Sequence, residues 1–391
     1  MVKFNLNIFY FFSLFSMCFF QVMVVFLKLN PNYISYFIYF NLILSLLVIV
    51  KYSKILNSRV FIENISLIFL MIFICFYYNL FFVDSYDYLG RGGVSTINTY
   101  TLGMVVWFCL GIGLAFSFKN IPRNNFFINI IPLLLIFIFM LNTKGIEQIN
   151  YIDLSNNSFR VDHLVLGAFI IYLICLTHSQ SFGVSLVYIF ILNSIILIMI
   201  GGRSDFFVYI ASSIIFNFLF KKFDIYSSVK LVFLMIFIWF LGSNFSNFSS
   251  FDRFYNLSSE DESLVARQEI LNSNIMDLPQ KILISNPNYL IEKHFNFGAY
   301  THNILSAWEI YGFLFFIFLF FILISNMMFL FKNKDKLMDS SSGKFIIFLF
   351  IFTFLSLIFS KSIFYYPFWL CLGFLSVYRL LHMRQIKGII N

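Results

Sequence analysis

Charge is scarce in this sequence. Only 11% of its 391 residues are Asp, Glu, Lys or Arg, where soluble domains carry roughly a quarter. With 60% hydrophobic residues and a mean hydropathy of +0.88, that scarcity excludes a soluble fold, which could not hide so much apolar surface. The five cysteines (Cys18, Cys75, Cys109, Cys175, Cys371) all fall inside apolar runs. This placement excludes a disulfide framework or a thiolate metal site and leaves them as small packing residues. There is no phosphate-binding Gly-Lys-Ser loop, so ATP-driven transport by this chain has no support. No His-Glu-x-x-His or similar spacing appears, and His294 and His302 lack a paired acid motif, so no metal site is expected. Charges in the middle of apolar runs, the mark of ion-coupled transporters, are nearly missing: Glu63 lies close to a run's end and Glu309 a turn or two inside one. The first apolar run has no small-residue cleavage site and is followed by others, so no cleavable signal peptide is expected.

Long apolar runs dominate what remains. A membrane span takes roughly 17–25 mostly apolar residues to cross about 30 Å of hydrocarbon. Runs of that kind lie near 8–27, 33–50, 60–83, 99–118, 126–141, 163–177, 182–200, 204–220, 229–243, 304–331, 345–360 and 363–380. The expectation is an all-α polytopic integral membrane protein with about twelve transmembrane helices and one large extracytoplasmic loop. In domain terms, 1–243 carries helices one to nine, 244–303 the loop, and 304–391 helices ten to twelve with the C-terminus. The 59 phenylalanines fit an AT-rich coding bias and carry little functional signal individually.

Lysine and arginine placement orients these spans. With the N-terminus inside, the cytoplasmic segments hold 16 of the 26 basic residues. The short opposite loops hold six: Lys28, Arg91, Lys144, Arg160, Arg203 and Lys361. By the positive-inside rule both termini are cytoplasmic, and 84–98, 142–162, 201–203 and 244–303 face outward. The net charge of +8 is therefore mostly topology and does not argue for nucleic acid.

Five outward stretches carry chemistry-bearing residues. In the long loop, SSEDESLVARQEILNSNI (258–275) predicts a capped amphipathic helix. Ser258 or Ser259 serves as N-cap, acids fill the first turn, and Leu264, Val265, Ile270 and Leu271 form the apolar stripe. Arg267 projects from it, as a phosphate contact or simply as a solvated side chain. In the turn IGGRSDFF, Gly201 and Gly202 allow a tight bend with open N–H groups before Arg203, Ser204 and Asp205. Arg203 either points into a polar cavity or snorkels to the membrane boundary. In NNSFRVDHLVLGAF, Arg160 is either a basic group at the outer mouth or the ion-pair partner of Asp162. A weaker stretch, DSYDYLGRGG (84–93), suits sugar contact and an interfacial aromatic belt equally. Finally, HNILSAWEIYG places His302 and Asn303 at the outer start of an apolar run.

Together these features resemble bacterial O-antigen polymerases, members of the wider family that includes the O-antigen ligases. The residues carrying the resemblance are Gly201-Gly202-Arg203-Ser204, Arg267 within LVARQEIL, and His302-Asn303 with Leu305, Glu309 and Gly312 in HNILSAWEIYG. These motifs cover about 60 residues, while the topology covers the whole chain. Asp205 departs from the pattern, since a small or apolar residue is common there. The resemblance implies a glycosyltransferase of the bacterial inner membrane, active on its periplasmic face. Donor and acceptor would be undecaprenyl-diphosphate-linked oligosaccharides, with no cofactor or metal and with a chain-length regulator as a partner. Arg203 and Arg267 would bind the diphosphate leaving group through bidentate forks, with Arg160 third. His302 would take the acceptor hydroxyl proton. Asn303, Glu309, Gly202 and Ser204 would line the substrate site, the first two orienting His302. The alternatives are a ligase passing finished polymer to lipid A-core, a transporter or flippase of lipid-linked oligosaccharide, and an accessory membrane protein. A flippase would carry charges within its spans and lack one dominant outer loop.

Overall fold

The computed structural model describes residues 5–26, 32–53, 59–118 apart from 89, 134, 150–152, 158–160, 163–181, 184–199, 203–220, 262–280 and 283–386. The predicted spans near 126–141 (residue 134 apart) and 229–243, Ser258, Ser259, Gly201 and Gly202 lie outside them. The long helices are α1 (Leu6–Phe26), α2 (Asn32–Lys51), α3 (Arg59–Phe81) and α4 (Gly93–Phe118), then α5 (His163–Gln180), α6 (Val184–Met199) and α7 (Arg203–Phe220). After α8 (Glu262–Ile275) come the short α9 (Tyr289–His294) and α10 (Ser306–Tyr311), then α11 (Phe313–Lys332), α12 (Lys334–Met338), α13 (Ser341–Phe359) and α14 (Tyr366–Ile386). Among the described residues, five helices are long and apolar enough to cross a membrane: Tyr33–Lys51, Phe61–Phe81, Gly93–Phe118, Phe313–Lys332 and Ser341–Phe359. The protein is therefore helical, with helices suited to a bilayer by length and composition.

Beside the helices, two three-residue strands, β1 (Asn150–Ile152) and β2 (Ser158–Arg160), pair antiparallel, with Asn150 opposite Arg160. The predicted run 304–331 is not one helix but two, α10 and α11. The break falls at Gly312, whose φ is +95°. That backbone conformation favours glycine, and a Cβ there would collide with the Leu283 carbonyl oxygen. Hydropathy runs unbroken through Gly312 and so gives no sign of the break.

The chain forms two compact units that interleave along the sequence. One unit comprises Met1–Val48, Phe116–Leu257 and Asn333–Thr353, and the other Ile49–Ala115, Ser258–Lys332 and Phe354–Asn391. In the first, α1 packs on α5, α5 on α6 and α6 on α7. Some polar side chains inside it pair with one another, which offsets the cost of burying them. The fully buried His178 shares a hydrogen bond with the Tyr209 hydroxyl (2.8 Å), and Asn193 Nδ2 donates to the same oxygen (3.2 Å).

In the second unit, α3 packs against α11 and α14. Helices α4 and α14 cross at glycines: a methyl group on Gly111 would strike the Leu370 carbonyl, and one on Gly373 the Phe108 carbonyl. Small residues let two backbones approach where lipid provides no hydrophobic drive between helices. Tyr78 of α3 donates to the Ile310 carbonyl (2.6 Å), and Thr101 of α4 shares a hydrogen bond with Tyr311 (2.7 Å). These bonds fix α10 against the ends of α3 and α4 and so set the platform on which the polar loops rest.

Candidate functional site

The polar centre of the second unit is built outward from Glu309, a carboxylate only 2% exposed. A buried charge needs its lone pairs occupied, and here three protein donors do this. Asn274 Nδ2 reaches Oε1 at 2.6 Å, while the Thr301 amide (2.8 Å) and hydroxyl (3.0 Å) reach Oε2. Asn274 is fully buried near the end of α8 and also donates to the Ala299 carbonyl (3.0 Å). Both of its amide protons being used, its Oδ1 accepts from His294 Nε2 (2.8 Å). A second staple sits just beyond: Asp277 accepts from Tyr289 and from Lys293 (2.5 Å), and Lys293 also donates to the Ser273 carbonyl (2.8 Å). Desolvation, then the Asp277 carboxylate, pushes the Tyr289 phenol upward. Thus hydrogen bonds hold α8 onto the 289–301 segment. Of the stripe predicted from sequence, Val265 is 42% exposed while Ile270 and Leu271 are half-buried, and among the described side chains of α8 Asn274 is the most deeply buried.

This anchoring places Arg267. It lies seven residues before Asn274, two helical turns along the same face, and it is exposed. Its guanidinium is close enough to His302 to oppose protonation of the imidazole, and so is the ammonium of Lys361. His302 itself is half-buried, its ring centroid 5.1 Å from that of Tyr300, which meets Phe364 edge-on at 5.6 Å. Burial first, then Arg267 and Lys361, holds the imidazole down at about 4, below its ordinary 6.5. The ring is therefore neutral around pH 7.

Lys361 stands in the turn between α13 and α14. That turn is tied to the start of α10 by the Ile363 amide donating to Ser306 Oγ (2.7 Å), and to α14 by Trp369 Nε1 donating to the Ile363 carbonyl (2.7 Å). The Lys361 amide donates to the Ser356 carbonyl (2.8 Å), and its ammonium lies 5.6 Å from the Tyr365 ring centroid.

The residues expected from sequence divide accordingly. Arg267 and His302 lie in one unit, with the guanidinium acting on the imidazole's charge. Asn303 instead organises the start of α10: its Oδ1 accepts from the Leu305 amide (2.9 Å), and its carbonyl accepts from Ser306 Oγ (2.7 Å). Glu309 was expected to line the substrate site and orient His302, but the structure commits its carboxylate to Asn274 and Thr301, so it holds the backbone just before His302. Arg203, at the start of α7, the half-buried Ser204 and Arg160 of β2 belong to the other unit. Within 84–93, Asp84 accepts from the Val94 amide (2.8 Å) and caps α4, where a carboxylate suits the helix dipole. Arg91 pairs with Asp87 and donates to Asn296 Oδ1, each at 2.8 Å. That stretch is a structural brace.

Sequence reasoning passed over Lys361 and Asn274. Lys361 had a signal available, being the sole charged residue between Lys344 and Arg379. No protein-family model matches the chain, and no curated protein matches it.

Proposed function

We propose that the chain is a membrane glycosyltransferase that polymerises undecaprenyl-diphosphate-linked repeat units of an O-antigen or related surface polysaccharide. In this reading it crosses the bacterial inner membrane about twelve times, keeps both termini in the cytoplasm and works on the periplasmic face. The observation that carries it is a neutral, half-buried His302 flanked by two cations, Arg267 and Lys361, from separate elements. Cations beside a proton acceptor suit a reaction that releases an anion while consuming a hydroxyl group.

In the reaction, an acceptor sugar hydroxyl attacks the anomeric carbon of the donor glycan. The new C–O bond forms as the bond from the anomeric carbon to the diphosphate oxygen breaks. His302 takes the hydroxyl proton, and the electron pair leaves with the lipid diphosphate, whose charge Arg267 receives through its fork. Removing such a donor from a developing anion costs about 10²–10³ in rate in other enzymes. A bound diphosphate also offsets the two cations that suppress His302, so the imidazole gains basicity when donor is present. Arg203 and Arg160 remain candidates for further contacts with the donor, and a chain-length regulator for the partner that sets polymer size.

Deleting the gene tests this directly. Polymerase loss leaves surface glycan bearing a single repeat unit. Loss of all such glycan would instead identify a ligase or a flippase and overturn the reading.

A further inference from the structure

The geometry points to Lys361 as the second phosphate contact of this site, the residue that makes it select a lipid diphosphate over a lipid monophosphate. The assignment rests on the reading of the chain as an enzyme acting on a lipid-diphosphate donor. Two cations come to His302 from different directions in the chain, Arg267 on α8 and Lys361 in the turn before α14. Each is carried by a segment that hydrogen bonds anchor. Arg267 is set through Asn274, two turns along its helix, which is bound to Glu309 and Ala299. Lys361 is set through Ile363, bound to Ser306 and Trp369. The two anchors converge on one short segment, since Thr301 is bound to Glu309 and Ser306 to Asn303. His302 sits within that segment.

One phosphoryl group is satisfied by one bidentate guanidinium. A diphosphate presents a second phosphoryl group, linked through a bridging oxygen, whose charge calls for a second cation at a different angle. A lysine serves that purpose as a compact point charge with three donors. Its ammonium lies 5.6 Å from the Tyr365 ring centroid, a cation–π contact that favours a defined position.

The test uses the full chain purified in detergent and measures binding of three probes: farnesyl diphosphate, farnesyl monophosphate and inorganic diphosphate. Wild type is expected to bind farnesyl diphosphate at least tenfold more tightly than either other probe. Lys361→Ala should weaken farnesyl diphosphate binding tenfold or more and change monophosphate binding less than twofold, while Lys361→Arg restores most of the loss. Lys361→Met, which keeps an unbranched apolar stem without the charge, should behave like Lys361→Ala and separates lost charge from lost packing. If Lys361→Ala leaves diphosphate binding intact while Arg267→Ala abolishes it, the Lys361 assignment is overturned and the enzymatic reading stands. Equal loss of both lipids in Lys361→Ala overturns the selectivity claim. Inorganic diphosphate binding as tightly as the lipid would overturn the lipid as ligand. Should wild type bind neither lipid, the reading itself fails.

Discussion

Asn274 Nδ2 lies 2.6 Å from Glu309 Oε1, and this single hydrogen bond connects the helix bearing Arg267 to the helix that follows His302. Neither partner is solvent-exposed. The bond belongs to a closed set in which Thr301, Ala299 and His294 use the remaining donors and acceptors of the pair. Removing one member therefore strands another in a place water does not reach.

Glu309→Ala is expected to destabilise the protein by about 2 kcal/mol or more, because stranding a buried donor costs about 1–3 kcal/mol and three donors face this carboxylate. Asn274→Ala should have a similar effect. Thermal unfolding in detergent reads the loss, and limited proteolysis should show α8 cut first. A wild-type unfolding temperature in both variants would contradict the role given to the pair.

Arg267→Ala and His302→Ala should each abolish chain extension, by about a hundredfold or more, with the protein still present in the membrane. Arg267→Lys should also fail, because a point charge does not reproduce the bidentate fork. Arg203→Ala is expected to stop extension as well. Glycan length on gels checks all four, and wild-type length in the first two would remove the site.

The His302 imidazole is held at about 4 when folded, against 6.5 ordinarily. A group with a lowered folded value binds fewer protons in the native state than in the unfolded one. Stability should therefore fall as pH drops from 6.5 towards 4 and not change above 6.5 on this account. The groups facing the ring are Arg267, Lys361 and Tyr300. Comparing unfolding temperatures of wild type and His302→Gln across pH isolates the effect, as wild type should lose stability relative to the variant between pH 6.5 and 4. Parallel curves throughout would disprove it. Lys361→Ala should raise the imidazole value, visible as an upward shift in the acid limb of the pH–activity profile.

Gly373→Ala should cost about 1–3 kcal/mol, the range for forcing an extra carbon into a packed contact. Its Cβ meets a backbone carbonyl, which cannot swing aside as a side chain can. Gly111→Ala should match it. Unfolding temperature again decides, and a change confined to activity would place these glycines in some other role.

Much of the helical framework could be read from the sequence because bilayer helices must bury every backbone polar group, which leaves long apolar runs as their signature. The predicted runs at 33–50, 60–83 and 345–360 fall on α2, α3 and α13 within a few residues. Arg267 and His302 could be singled out because polar residues beside such runs are conspicuous. What could not be read were features set by contacts distant in sequence. Gly312 breaks a continuous apolar run because Leu283 occupies the space a Cβ would need. Asn274 looks like a surface residue of an amphipathic helix until Glu309, 35 residues on, supplies its partner. Lys361 read as a topology marker, since only the folded turn brings it towards His302.

The bend at Gly312 separates two kinds of tolerance to change. An inserted residue in α11 would rotate that helix's lipid-facing side by about 100° while leaving the six residues of α10 where Tyr78, Thr101 and Ser285 hold them. The same insertion between Ser306 and Glu309 would swing the carboxylate out of reach of Thr301. Length variation is thus absorbed on the membrane side of the bend and is ruinous on the other.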